Sequence, residues 1–211
     1  MLRSEAIELV KQGLGFRTGT AIDTAVVNSM KLVQTTLEHE AMLPWFLVSD
    51  LLSSETKVGD GRVSLPKGFL REVEHGALWI TESVGTDPQE LPKKEFDWIH
   101  KKYGTTPGFP RYYSILGKFF RLGPVPDAKY PLTIICYLAD ELLNEEKENL
   151  WLLHAPDLLV ARTGLKVAGD TVNRIARQRF EEEVIIANAR LLVENEARMH
   201  ANRHYVVRGN G

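Results

Sequence analysis

Apolar residues recur at helical spacing near the N-terminus of the chain. They stand three or four positions apart, at Ile22, Val26, Met30, Val33 and Leu37. This stripe predicts one face of a helix running from Thr20 to about His39. Thr20 and Asp23 have the spacing of a capping box, with Asp in place of the usual Glu. A shorter helix is predicted before it, from Ser4 to Gly13.

The longest helical pattern lies near the C-terminus, from about Asp170 to Met199. Its stripe consists of Val172, Ala176, Phe180, Val184, Ala187 and Leu191. Four further apolar residues widen the stripe beyond one face, namely Ile175, Ile185, Ile186 and Leu192. A stripe this wide indicates packing on two sides, and these four residues are candidates for contact with a neighbouring subunit. An inner helix of a bundle has the same width, so both interpretations stand at this point.

Two shorter helices are predicted just before this long one. Asn149 is a good N-cap for a turn that carries Trp151. Pro156 suits the first turn of the next helix, which Gly169 is expected to end. Gly164 lies inside that helix and is expected to weaken it by about 1 kcal/mol relative to Ala.

Strand and turn signals fill the middle of the chain, from Leu43 to Asp140. The predicted strands are Phe46–Val48, Arg62–Leu65, Phe69–Val73, Ala77–Ile80, Tyr112–Ile115, Lys118–Leu122 and Pro131–Leu138. Leu116 and Gly117 predict a tight hairpin turn. A short helix is predicted from Pro92 to Lys102, with Pro92 in its first turn. The short connections favour antiparallel pairing.

The last fourteen residues, 198–211, lose the helical periodicity and contain Arg and His but no acid. They are interpreted as a flexible basic extension that orders on a partner. The expected fold is therefore α+β and mainly α. A helical bundle is formed by 1–42 and 143–197, a small antiparallel β region is inserted at 43–142, and an extended tail follows at 198–211.

Composition and charge exclude several classes of protein. The chain has 211 residues, of which 44% are hydrophobic and 26% charged, as in ordinary globular proteins. No apolar run reaches the roughly 18 residues that a membrane span needs. Glu5 stands where a signal peptide would be apolar, so no secretory segment is expected. The net charge of −2 gives no general attraction to nucleic acid. The single cysteine, Cys136, is interpreted as a small buried core residue.

No motif for catalysis, cofactor binding or metal binding emerges from the sequence, and no enzymatic activity is expected. Gly13, Gly15 and Gly19 lack the order of a dinucleotide fingerprint and are interpreted as a hinge. His200 and His204 have a metal-ligand spacing, but they lie where helical pattern is lost. Acidic clusters are interpreted as solvated helix ends or faces, at Glu38/Glu40, Glu145/Glu146/Glu148 and Glu181–Glu183.

The predicted hairpin supports an alternative function. Its aromatic residues are Tyr112, Tyr113, Phe119 and Phe120, and its cations are Arg111, Lys118 and Arg121. Together with the basic tail they would suit a module that stacks the bases of single-stranded nucleic acid. Alternating aromatics on a hairpin also pack small sheet cores, so both interpretations remain open.

Three stretches between Leu65 and Ala161 are similar to segments of one known family. They are Leu65–Glu72, then Gly117–Pro126 with Tyr130–Leu132 and Tyr137, and finally Asn149–Leu153 with Pro156–Leu159 and Ala161. They resemble the LP-x-x-F-L, I-x-L-x-P-x-P and N-x-W-L-L…P-D-L-L patterns of the head-to-tail adaptor, or head-completion, proteins of tailed bacteriophages. The resemblance covers roughly residues 43–195.

The resemblance implies a structural virion protein at the head-tail junction, assembled in the host cytoplasm. Such proteins form a ring, commonly of twelve subunits, between the portal and a downstream tail or nozzle protein, and DNA passes through the ring without specific binding. No catalytic residue or cofactor carries over, and no membrane is involved. C-terminal segments of the family often reach the portal, which makes these residues portal-binding candidates: Arg198, Arg203, His204, Tyr205, Val206, Val207 and Arg208.

Overall fold

The computed structural model describes residues 1–15, 19–74, 76–83, 86–141, 143 and 149–203, with the backbone alone for 199–203. The elements in chain order are α1 (Arg3–Gly13), α2 (Thr20–Leu37), a 3-10 helix (Trp45–Leu47), β1 (Leu52–Glu55), β2 (Arg62–Ser64), β3 (Phe69–Glu72), β4 (Leu78–Ile80), β5 (Gln89–Glu90), α3 (Phe96–Tyr103), β6 (Tyr112–Leu116), β7 (Phe119–Gly123), β8 (Pro131–Ile134), β9 (Cys136–Leu138), α4 (Leu150–His154), α5 (Pro156–Asp170) and α6 (Arg174–Arg203). The protein is therefore a mixed α+β protein, as predicted.

Contacts within the chain define two compact units. The helical unit consists of Met1–Leu47 and Asp140–Gly211, and the strand-rich unit is Val48–Ala139. In the helical unit, α5 contacts α1, α2, α4 and α6. Its buried residues lie all round the helix: Leu158, Leu159, Val160, Ala161, Thr163, Gly164, Val167 and Ala168. Burial on every side is expected of a helix that others surround.

Phe180 of α6 requires two glycines in the helices that it packs against. Its side chain is 1% exposed. A Cβ atom added at Gly13 of α1 or at Gly164 of α5 would overlap the Phe180 ring. Gly164 was expected only to weaken α5, but its missing side chain makes room for this ring. The three residues therefore hold α1, α5 and α6 at close approach.

The bounds of the C-terminal helices differ from the prediction. Gly169 does not end α5, which continues to Asp170, and α6 begins only at Arg174. Val172, expected in the buried stripe, lies in the intervening turn with φ of 55° and is 80% exposed. Asn173 starts α6 instead, because its Oδ1 accepts a hydrogen bond from the Ala176 amide at 3.2 Å. At its other end α6 extends to Arg203 rather than Met199.

The predicted capping box at the start of α2 does not form. The N-cap residue is Gly19, and no side chain caps the helix. Asp23 instead forms an ion pair with Lys11 of α1 at 3.0 Å. The carboxylate therefore joins two neighbouring helices rather than closing the end of its own.

The strand-rich unit contains three antiparallel sheets among its described residues. Their strand orders are β1-β8-β4-β5, β2-β7-β6 and β3-β9. The Gly117–Lys118 turn joins β6 to β7, which confirms the predicted hairpin. One core cluster includes Val63, Leu78, Ile80, Leu91, Tyr113, Phe120, Leu122, Leu132, Ile134 and Cys136. Cys136 is buried, as predicted.

Three element predictions in the middle of the chain are wrong. Phe46–Val48 is not a strand, because Trp45–Leu47 forms a 3-10 helix whose Phe46 and Leu47 are buried. The apolar run Pro131–Leu138 divides at Ile135 into β8 and β9, which belong to different sheets. Pro92 does not start α3, because its segment is hydrogen-bonded to β6. The Lys94 amide donates to the Tyr113 carbonyl at 2.8 Å, and the Tyr113 amide donates to the Pro92 carbonyl at 3.2 Å. These bonds keep the segment extended beside β6.

Candidate interaction surfaces

Helix α6 has apolar residues on two opposite faces. Its inner face carries Ala176, Phe180 and Ala187, which are 4%, 1% and 6% exposed. The outer face is defined by Ile175, Ile185, Ile186, Leu192 and Val193, which are 86%, 69%, 55%, 42% and 68% exposed. At 100° per residue, each outer-face residue stands about 100–160° away from the centre of the inner face. The described residues thus leave one apolar side of the helix in contact with solvent.

The four residues predicted as subunit contacts all lie on this outer face. Ile175, Ile185, Ile186 and Leu192 share it with Val193, which sequence reasoning missed. The signal was present, since Val193 follows Ile186 by seven residues, two helical turns. These residues are exposed in the helical unit. Burial on both sides of an inner bundle helix therefore does not account for the width of the stripe.

Two grooves flank α6 within the helical unit. The α1 groove, of about 350 Å³, lies between α1, α5 and α6 and has Leu9, Val160, Phe180, Ile186 and Ala187 as its apolar lining. The α2 groove, of about 360 Å³, is lined by Val33, Thr36, Arg162, Leu165, Lys166 and Val184. Ion pairs border the α1 groove: Arg179 with Glu183 at 2.8 Å and Arg190 with Asp157 at 3.1 Å. A groove with an apolar floor and a charged rim is more typical of a protein contact than of a catalytic site.

The last turns of α6 are held by the 3-10 helix. The Trp45 amide donates to Asn195 Oδ1 at 2.7 Å, and the Arg198 guanidinium lies over the Trp45 ring, 4.7 Å from its centre. Arg198 was predicted to belong to a flexible tail, but it lies in helix and stacks on an aromatic ring. Arg203 is the last residue of α6. The remaining portal candidates, His204–Arg208, lie outside the described residues.

A buried polar network joins α2 to the segment that precedes α4. Glu38 is 6% exposed, and its Oε1 accepts hydrogen bonds from Gln34 at 3.0 Å, the Trp151 indole at 3.1 Å and the Asp140 amide at 3.2 Å. Asn149 caps α4 through Leu152 and donates to Gln34 at 3.3 Å. Glu38 was expected to be solvated, and this expectation is wrong. Its signal in the sequence, an acidic residue at a helix end, cannot be distinguished from surface charge.

Asp140 belongs to the same network. Burial raises the pKa of this carboxyl group above its usual value, and hydrogen bonds from the amides of Leu150, Glu141 and Trp151 oppose the rise. The Leu150 amide is 2.6 Å from Oδ2. These contacts hold Asp140 against the start of α4 within the helical unit.

The hairpin aromatics divide between the two sides of their sheet. Tyr113 and Phe120 are 4% and 0% exposed and belong to the core of the strand-rich unit. Burial raises the pKa of the Tyr113 phenol, with Glu72 adding to the rise. Tyr112 and Phe119 lie on the other side and are half-buried. Two of the four aromatic residues predicted to stack on bases therefore belong to the hydrophobic core.

The described residues offer little for chemistry. No group of three or more His, Cys, Asp or Glu side chains among them is placed to hold a metal ion. Within the same residues, no helix combines the length and apolar character needed to cross a membrane. The Cys136 thiol is buried beside Ser49, and burial raises its pKa. Surfaces rather than pockets are the notable features of the molecule.

Comparison with known families gives one match. Residues 39–202 match the family described as SU10 adaptor protein, and this range includes α3 to α5, β1 to β9 and nearly all of α6. Comparison with curated proteins gives no match. The matched range covers most of the chain and contains the inner and outer faces of α6.

Proposed function

The chain belongs to the SU10 adaptor protein family, and from this premise we propose that it is a ring subunit joining the portal of a tailed-phage head to the tail machinery. A member of this family is a phage structural adaptor protein and a component of the virion. In the proposed role the ring also continues the DNA channel. Assembly takes place in the host cytoplasm, and twelve copies close the ring.

The outer face of α6 is the observation that carries this proposal. Ile175, Ile185 and Ile186 expose more than half of their surface and lie along one side of a 30-residue helix. Exposed apolar residues that cluster on one side of a helix mark an interaction site. We assign it to the neighbouring subunit, because a ring requires a face of one copy to meet a different face of the next.

The C-terminal segment is assigned to the portal. Arg198 and Asn195 hold the end of α6 against Trp45. The segment His204–Arg208 therefore follows a helix whose last turns are held in place. It combines cations with Tyr205, Val206 and Val207, which suits a mixed polar and apolar docking site. The strand-rich unit is assigned to the downstream tail or nozzle protein.

The experiment is reconstitution with the portal protein of the same phage. We expect the purified chain to add to the portal as a stoichiometric ring, seen by electron microscopy and by light scattering. Absence of any complex would refute the proposal. A truncation after Arg203 tests the anchor, because it removes His204–Arg208 and leaves Arg198 on Trp45. The truncated chain is expected to fold normally and to lose portal binding. Unchanged binding would assign the anchor to another surface.

A further inference from the structure

We infer that the strand-rich unit carries a docking surface for an acidic, carboxylate-bearing protein surface. We call it the basic-aromatic face. It consists of Arg62, Lys94, Trp98, Lys102, Tyr112, Phe119 and Arg121. The inference extends the proposed function by giving the chemistry of one partner, and it rests on that function only for the biological setting.

Strand register places the four strand residues of the face on one side of the β2-β7-β6 sheet, and Trp98 of α3 joins them through its ring contact with Tyr112. Arg62 pairs with Arg121, and Arg121 pairs with Ser114. Tyr112 and Phe119 stand two residues from Ser114 and Arg121, so alternation puts them on the same side. The intervening residues Val63, Phe120 and Leu122 are buried on the opposite side. Helix α3 covers only one end of the face, where Ile99 fills the space that a Cβ at Gly123 would take.

The aromatic rings on this face already have cations over them. The guanidinium groups of Arg62 and Arg121 lie 5.8 Å and 5.7 Å from the centre of the Phe119 ring. The Lys102 ammonium lies 4.6 Å from Trp98 and 5.5 Å from Tyr112. Such contacts keep the charged groups near the surface in defined positions. The face is thus a preformed array of positive groups on an aromatic base.

Positive charge is concentrated in this part of the chain. The segment 91–123, which forms α3, β6 and β7, contains seven Lys or Arg and two acids, Glu95 and Asp97, whereas the whole chain carries −2. Among the described residues, the ion pairs involve neither Lys94 nor Lys102 nor Arg121. Arg62 of the face pairs with Asp60 at 2.8 Å, and Lys93 of the same segment pairs with Glu72. Within the part of the chain that the structure describes, the cations of the face without an ion pair are therefore Lys94, Lys102 and Arg121.

The centre of the face also holds polar groups without partners. Ser114 is 2% exposed, and neither its Oγ nor Arg121 Nε has a hydrogen-bond partner among the described residues. Buried polar groups without partners are costly. The Arg121 guanidinium is the planar group with which a carboxylate of a partner usually pairs.

The observations favour a protein over nucleic acid as the occupant. Bases stack on open ring faces, but the faces of Phe119 and Trp98 are covered by the chain's own cations. Trp98 and Tyr112 meet at 75°, so they do not form a parallel platform. Trp, Tyr and Arg are the residue types that anchor protein interfaces. Charge complementarity then requires the partner to be acidic.

The test uses the full-length chain and four fluorescent probes. They are a Glu/Tyr copolymer, polyglutamate, a single-stranded oligothymidylate and a DNA duplex of equal charge. The variant Lys94→Gln/Lys102→Gln removes two exposed cations of the face from α3 and the segment before it. The control, Lys166→Gln/Arg177→Gln, makes the same change of charge in the helical unit. Arg121→Gln removes the central guanidinium. Circular dichroism checks that each variant folds.

We expect the wild-type chain to bind the Glu/Tyr copolymer more tightly than either nucleic acid, as measured by fluorescence anisotropy. The α3 variant should weaken that binding by about tenfold, Arg121→Gln by a similar factor, and the control by less than about twofold. Equal losses in the control, tighter binding of either nucleic acid, or no binding of the copolymer would each overturn the inference. The portal takes no part, so failure here leaves the proposed function standing.

Discussion

The inner and outer faces of α6 are both apolar but differ in their surroundings. Phe180 on the inner face is 1% exposed, whereas Ile175 on the outer face is 86% exposed. The inner face is accounted for by α5, α1 and their glycines. In the described helical unit the outer-face residues remain between 42% and 86% exposed. Apolar periodicity therefore identifies both faces, but only the packing shows which of them is buried within the chain itself.

Removing the Phe180 ring should give the largest change in stability. Phe180→Ala leaves a cavity between α1, α5 and α6, and such truncations cost about 3–5 kcal/mol of unfolding free energy. Urea unfolding followed by circular dichroism measures the loss. The matched control is Ile185→Ala on the outer face of the same helix, where a change within about 0.5 kcal/mol is expected. Similar losses from both substitutions would erase the distinction between the two faces.

A glycine in α5 sharpens the same comparison from the opposite side. Gly164→Ala adds a methyl group against Phe180 and should destabilise by about 1–3 kcal/mol, although Ala is the better helix former. Gly169→Ala is the control, because a Cβ there would meet nothing within 4 Å. It should be neutral or stabilising by up to about 1 kcal/mol. Thermal unfolding of both variants decides the sign.

A double-mutant cycle identifies the cause of the Gly164 effect. If the added methyl group acts through the Phe180 ring, Gly164→Ala should cost much less when combined with Phe180→Ala. Additive effects would mean that the glycine matters for another reason, such as the backbone of α5 itself.

Regular elements of this fold were predictable where one periodicity extends over several turns. The stripe from Val26 to Leu37 located α2, and alternation with a Gly turn located the β6–β7 hairpin. The end of α5 was not predictable, because Gly169 has no required conformation and the chain turns at Val172, whose φ of 55° is unusual for a branched residue. Nor was the division of Pro131–Leu138, since an apolar run carries no mark of which sheet each half joins.

The candidate surfaces were predictable only in part. Ile175, Ile185, Ile186 and Leu192 were identified because excess width in a helical stripe is visible in sequence. Glu38 was missed, since two of its three donors, Asp140 and Trp151, are its neighbours only in the folded chain. Only part of the basic-aromatic face was predictable from the sequence. The hairpin aromatics were noted, but Trp98 joins them through tertiary contact with Tyr112.

Buried polar residues of the helical unit can be compared with its exposed ones in the same way as the apolar residues of α6. Asn149→Ala removes the cap of α4 and the bonds to Gln34 and Glu141. A loss of about 1–2 kcal/mol is expected, because the cap is lost and buried acceptors lose a donor. Urea unfolding measures it. Asn149→Asp is the matched variant, since it retains the capping oxygen but not the donor. It separates the cap from the network, and an effect of Asn149→Ala below about 0.5 kcal/mol would show that neither matters.

The smallest effect on stability is expected where the proposed effect on assembly is greatest. Ile185→Gln/Ile186→Gln changes two exposed residues of the outer face, so the unfolding free energy should shift by less than about 0.5 kcal/mol per substitution. Ring formation on the portal should nevertheless be lost, because the substitutions place polar groups in the contact between neighbouring subunits. The control, Leu51→Gln/Val58→Gln, changes two residues that are 70% and 63% exposed in the strand-rich unit. It should leave the ring intact. Intact rings from the α6 variant would mean that the outer face meets no neighbouring copy. A large loss of stability would mean that it packs within its own subunit.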